Sequence, residues 1–100
     1  MGNQKPFNIN LQGKTIDSAL DNTITWQISG DIQFYFSLVI KDNSTDVTVY
    51  SVSKTSSFSN TYILPASTLL NGNEYKITIT TYDKDSNSQT SDPVIFATSS

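Results

Sequence analysis

One hundred residues and 11.0 kDa make room for one domain with a single core. Six cations against nine acids give a formal charge of −3, and every cation is lysine. With no arginine, histidine or cysteine, the chain lacks thiolate and imidazole nucleophiles, the metal sites built on them, and disulfides, and its acidity disfavours binding along a phosphate backbone.

Ser, Thr and Asn together supply 37 of the 100 residues, which alone would suggest disorder. Eleven aromatics and many Ile, Val and Leu argue for a packed core instead. No run of 18 apolar residues is present, so no helix is expected to span a membrane. The start, Met1 to Pro6, has no apolar core of a signal peptide. Gly2 would invite myristoylation, but Pro6 stands where that motif needs Ser or Thr.

In chain order the hydrophobic period is two. Phe7 to Leu11 alternates, then Thr23 to Ile28 places Ile24, Trp26 and Ile28 on one face. Gly30-Asp31 breaks the pattern. Gln33 to Lys41 sets Phe34, Phe36, Leu38 and Ile40 on one side and Tyr35 and Val39 on the other, the mark of a central strand. Asp42 to Thr45 reads as a polar turn and Val47 to Val52 as a short β-branched strand. Thr61 to Leu64 is a brief run stopped by Pro65, and Ser67 to Gly72 suits one helical turn. Glu74 to Tyr82 alternates with Tyr75, Ile77 and Ile79 inward. Asp83 to Ser88 is a loop, and Val94 to Thr98 follows Pro93 as the last strand.

Seven short strands with turn signals every 8–12 residues predict an all-β protein, a seven-stranded antiparallel β-sandwich. The expected core is Ile24, Trp26, Ile28, Phe36, Leu38, Leu69, Tyr75, Ile77, Ile79 and Phe96. Residues 1–6 read as a polar segment, 7–98 as the domain and 99–100 as a linker.

Two features carry a resemblance. Trp26 faces inward on the second strand, and Leu69 precedes Tyr75 by six residues where a long alternating strand opens. The second resembles the tyrosine corner of fibronectin type III domains, with Asn71 where that family often has proline. There the ring packs under a crossover and the hydroxyl satisfies a backbone group. An antibody-type domain fits less well, since Ile77 stands where its second cysteine would be. Within the family, the segments Thr25 to Gly30, Tyr35 to Asp42, Leu64 to Ile77 and Ser91 to Ser99 resemble modules of bacteriophage tail and baseplate proteins. The Asn/Lys/Ile/Ser/Thr-rich, arginine-free composition agrees with an AT-rich coding sequence.

Several constellations have a plainer reading. Asp83-x-Asp85-x-Asn87 matches the opening of a calcium loop, but Ser88 replaces the glycine of the sharp turn and Val94 the closing glutamate. The plain reading of the 83–92 loop is a solvated connection, with calcium and a partner contact both left open. Ser51-x-x-Lys54 matches the S-x-x-K of penicillin-recognising enzymes, yet residues three apart on a strand point to opposite faces. Asn43-Ser44-Thr45 is a glycosylation sequon and, equally, a turn rich in side-chain hydrogen bonds. The carboxylate pairs Asp42/Asp46 and Asp83/Asp85 read as solvated loop acids rather than a glycosidase dyad. Tyr35, Tyr50 and Tyr82 lie outward on their strands, and side by side Tyr35 and Tyr82 would form a stacking surface for sugar; ordinary cross-strand packing is the plainer reading.

The expected function is therefore that of a non-catalytic structural and interaction module with no catalytic, metal or cofactor site. The resemblance implies a spacer or docking domain of a phage tail or baseplate, located in the virion or at a cell surface. Expected partners are neighbouring domains or subunits and host cell-surface polysaccharide, with no nucleic acid and no membrane insertion. The alternative is a carbohydrate- or cell-wall-binding accessory module of a secreted bacterial protein.

Overall fold

The computed structural model describes residues 6–28 and 32–99. Most of the polar start, the Gly30-Asp31 break and Ser100 lie outside the described residues. Eight strands form in this order: β1 (Thr15–Asp17), β2 (Asn22–Thr25), β3 (Tyr35–Asp42), β4 (Thr48–Ser56), β5 (Thr61–Leu64), β6 (Glu74–Tyr82), β7 (Ser88–Thr90) and β8 (Val94–Ser99). They make two sheets. The larger runs β1-β8-β6-β3-β4, with β7 also on β6; the smaller is β2-β5. The protein is thus all-β with a sandwich arrangement.

Five expectations about the elements are corrected. There are eight strands among the described residues, not seven, and the large sheet is mixed because β1 runs parallel to β8. The first predicted strand, Phe7 to Leu11, is reduced to a single bridge between Phe7 and Gln27. Asn8 there has φ 54, a left-handed turn of the chain that no continuous strand accommodates. Ser67 to Gly72 makes turns rather than a helical turn, with Ser67 at φ 61 and Gly72 at φ 75. Ser99 belongs to β8, opposite Asp17, rather than to a linker.

The core lies between the sheets. β6 alternates without a break, so Tyr75, Ile77, Ile79 and Thr81 point inward and Lys76, Thr78, Thr80 and Tyr82 outward. β3 does the same with Phe36, Leu38 and Ile40 inward. Across from them stand Ile24 and Trp26 from the small-sheet side, joined by Ile9, Leu11, Leu64, Val94 and Phe96. Of the expected core only Ile28 is not fully buried; it packs at the cluster's margin. Phe34, which the alternation puts on the face of Phe36, is half-buried and meets Phe58 edge-on with ring centroids 5.0 Å apart. The inward position at that end goes to Gln33, which is 1% exposed.

Buried polar groups find specific partners. The Trp26 indole donates to Gln33 Oε1 at 3.0 Å, and Gln33 Nε2 donates to the carbonyls of Ser57 and Ser59 at 3.0 and 2.8 Å. One amide thus ties the loop before β3 to the loop after β4. Between β7 and β8 the chain carries one extra residue at Ser91 to Pro93, where proline has no N–H for the ladder. Ser91 repairs the gap: its hydroxyl accepts from Ile79 N at 2.9 Å, and its own N–H donates to Ile79 O at 2.8 Å. At the opposite pole Tyr75 and Thr98 hold the β5–β6 crossover. The Leu70 N–H donates to the Tyr75 hydroxyl at 3.0 Å, and Thr98 Oγ1 donates to the Leu70 carbonyl at 2.6 Å. This is the contact expected of the Leu69/Tyr75 pattern.

Candidate functional site

The outward face of the large sheet is built by register. Along the β3/β6 pair Tyr35 stands opposite Tyr82, Ser37 opposite Thr80, Val39 opposite Thr78 and Lys41 opposite Lys76. Strand alternation brings all eight side chains to one surface. The two tyrosines do lie side by side, as the stacking surface required.

A lysine completes that end of the face. In β4, Val52 pairs with Leu38 and Thr55 with Phe36, so three steps of β4 span two of β3. This bulge shifts the alternation and swings Lys54 outward. Its ammonium lies 4.6 Å from the Tyr35 ring centre and 4.8 Å from that of Tyr82, and donates to Ser86 Oγ at 2.8 Å. The same bulge overturns the expectation that Ser51 and Lys54 face opposite ways. Ser51 pairs with outward Val39, so both are on the outer face. Lys54 nonetheless engages the tyrosines and Ser86, not Ser51.

Tyr50 is not part of this face. It pairs with Ile40 and so turns inward, against the expectation. A second bulge in β4, between the partners of Ile40 and Lys41, sets that phase. The Tyr50 hydroxyl is hydrogen-bonded to that of Tyr62. Burial pushes the Tyr62 phenol up to about 12, and the bond to Tyr50 adds to the rise.

The acid pairs are engaged by their own turns. Asp83 Oδ1 accepts from the N–H groups of Asp85 and Asn87, both at 2.9 Å, and Oδ2 from the Asn87 side chain at 3.2 Å. Burial pushes the Asp83 carboxyl up, but these donors outweigh it and hold the group below the ordinary carboxylate value. The carboxylate that would open a calcium loop thus closes a turn. Asp42 Oδ1 accepts from Ser44 Oγ, Ser44 N and Thr45 N, which lower its pKa against a small opposing effect of burial. Asp46 pairs with Lys76, and this bond, with the charges of Lys76 and Lys41, lowers its pKa. Asn43 of the sequon donates to Glu74 Oε1 at 2.7 Å. Among the described residues no three acids gather where they could hold a metal ion.

A groove of about 580 Å³ opens between the edges of β4 and β5. Phe36, Val52, Tyr62 and Ile63 contribute apolar surface, and Ser and Thr hydroxyls surround them; no charged residue lines it.

No protein-family model matches the chain, and no curated protein matches its sequence. Several solved structures share its fold. One, described as a myokine, has TM-score 0.77 and 15% identity over 97% of this chain and 98% of its own. An α-L-rhamnosidase of Streptomyces avermitilis, solved with L-rhamnose, has TM-score 0.73 and 15% identity. That match covers 98% of this chain but 10% of the enzyme. CopC of Methylosinus trichosporium OB3b has TM-score 0.63 and 16% identity over 95% and 92% of the two chains. At such identities the likeness establishes a small all-β sandwich domain. The phage setting rests on the sequence resemblance alone.

Sequence reasoning missed Lys54, which shapes this surface, and Gln33, which is buried behind it. Lys54 owes its place to a bulge, which no local signal marks. Gln33 was read as the polar first residue of a strand, and only the indole opposite it accounts for its burial.

Proposed function

We propose that the chain is a non-catalytic spacer and docking module of fibronectin type III type within a larger extracellular assembly. The carrying observation is its shape: a filled core in a body of 42 × 22 × 20 Å with a separate loop cluster at each end. At one end Gln33 joins the loops before β3 and after β4, and Lys54 reaches the 83–87 loop. At the other, Ala66 N donates to Asp21, Ser67 N to Ser18 O, and Leu70 is held by Tyr75 and Thr98. Pro6 lies beside Pro93 and Val94 at the start of β8, and Ser99 ends that strand about 17 Å further along. A chain that passes through a rigid body in this way transmits position from one neighbour to the next. The resemblance to phage tail and baseplate modules supports a virion as the setting.

Small-angle scattering from two copies joined directly in tandem tests this reading. An extended particle of about twice the 42 Å length supports it. A compact, side-by-side particle overturns it.

A second reading, a carbohydrate-binding accessory module, is favoured by one observation: the Tyr35/Tyr82 pair, with Lys54 above it, on the outward face of the large sheet. Aromatic faces of this kind stack on sugar rings. The two readings are compatible, since a spacer can also dock.

A further inference from the structure

We propose that the outer face of β3 and β6 binds an acidic polysaccharide, a reading that rests on the carbohydrate-binding one and names its ligand class. The order of side chains along the face carries this reading. It begins with Tyr35 and Tyr82 under the Lys54 ammonium, continues through Ser37, Thr80, Val39 and Thr78, and ends at Lys41 opposite Lys76. Six strand steps separate the two ends, about 20 Å. An extended polymer fits that length better than a single sugar.

The charges select an anion. Like charges directly opposite on a sheet repel, yet Lys41 and Lys76 face each other across a hollow of about 210 Å³ lined also by Val39, Thr78, Asp46 and Pro93. Asp46 pairs with Lys76, so one carboxylate serves two ammonium groups. Glu74, one outward step beyond, is engaged by Asn43. Counting Lys41, Lys54 and Lys76 against Asp46 and Glu74 gives this face +1, while the other three lysines and seven acids of the chain sum to −4. A ligand carboxylate or sulfate at Lys41 completes the neutralisation that Asp46 begins, and another meets the Lys54 ammonium above the two tyrosines. The hydroxyls between the two ends match a polyhydroxylated ligand.

The spacing disfavours nucleic acid. A strand of DNA presents a phosphate roughly every 3.4 Å, whereas this face has lysines only at its ends and no arginine.

The test is an NMR titration of the whole chain with oligogalacturonate, its methyl ester and oligothymidylate. The expected result is saturable shifts of outward β3 and β6 residues with oligogalacturonate, bound about tenfold more tightly than the ester. Lys41→Gln with Lys76→Gln should bring the affinity for oligogalacturonate down toward that for the ester, and adding Lys54→Gln should remove the remaining preference. Tyr35→Thr should weaken both ligands, while an unmoved Trp26 indole signal shows that the fold is intact. If the ester binds as tightly as the acid, the inference falls and the carbohydrate reading stands. If neither binds, both fall. Tighter binding of oligothymidylate, or shifts confined to β2 and β5, also overturns the inference.

Discussion

The Tyr75 hydroxyl sits 3.0 Å from the backbone nitrogen of Leu70 and accepts its hydrogen bond. The ring is 2% exposed and packs on Phe96 with centroids 5.9 Å apart. One side chain thus fills the core and fixes the crossover between sheets. Tyr75→Phe keeps the ring but orphans the Leu70 N–H. The expected cost is about 1–3 kcal/mol, read from urea unfolding. A midpoint equal to wild type would show that the corner carries no stability.

Gln33 is the polar counterpart of that corner at the other pole. Gln33→Leu preserves much of the volume and leaves the Trp26 indole and two carbonyls without their partner. We expect a loss of about 2 kcal/mol and altered Trp26 emission. Wild-type stability together with wild-type emission would count against the bridging role.

Thr81 makes the opposite prediction. Its hydroxyl is buried and unpartnered among the described residues, opposite Phe36. Thr81→Val removes a desolvated polar group and should stabilise by about 1 kcal/mol in the same urea assay. Destabilisation would mean that the hydroxyl has a partner.

Tyr62 ties stability to alkaline pH. Its phenol ionises near 10 when unfolded and at about 12 when folded. The unfolded chain therefore loses this proton first, so stability is complete below pH 10 and is lost progressively as pH rises to 12. Melting temperatures of wild type and Tyr62→Phe, compared across that window, isolate the effect from the lysines. The variant should decline less steeply; parallel curves would contradict the raised pKa.

Much of the fold was legible because burial imposes a strict period. β5 and β6 fall where Thr61 to Leu64 and Glu74 to Tyr82 alternate, and the Leu69/Tyr75 spacing placed the corner. β1 and β7 were not legible. Each has three residues: Ser88-Gln89-Thr90 has no apolar side chain and is a strand only by pairing back on Thr80 to Tyr82, and Thr15 to Asp17 is one only by pairing with β8 at the far end of the chain. Of the candidate site, alternation put Tyr35 and Tyr82 outward, but their adjacency depends on the β3/β6 register. Lys54 and Tyr50 were out of reach for the same reason: the bulges of β4 reset its phase twice.

A spacer must be a rigid body that keeps its two poles apart. The chain has no cysteine, so spin labels can be placed without competition. Phe58 at one pole is 68% exposed and Leu70 at the other 71%, so Phe58→Cys with Leu70→Cys places a label at each. Pulsed dipolar spectroscopy should give a single narrow distance distribution on the order of the 42 Å long dimension. A broad distribution, or one centred at a separation typical of neighbouring strands, would contradict the account.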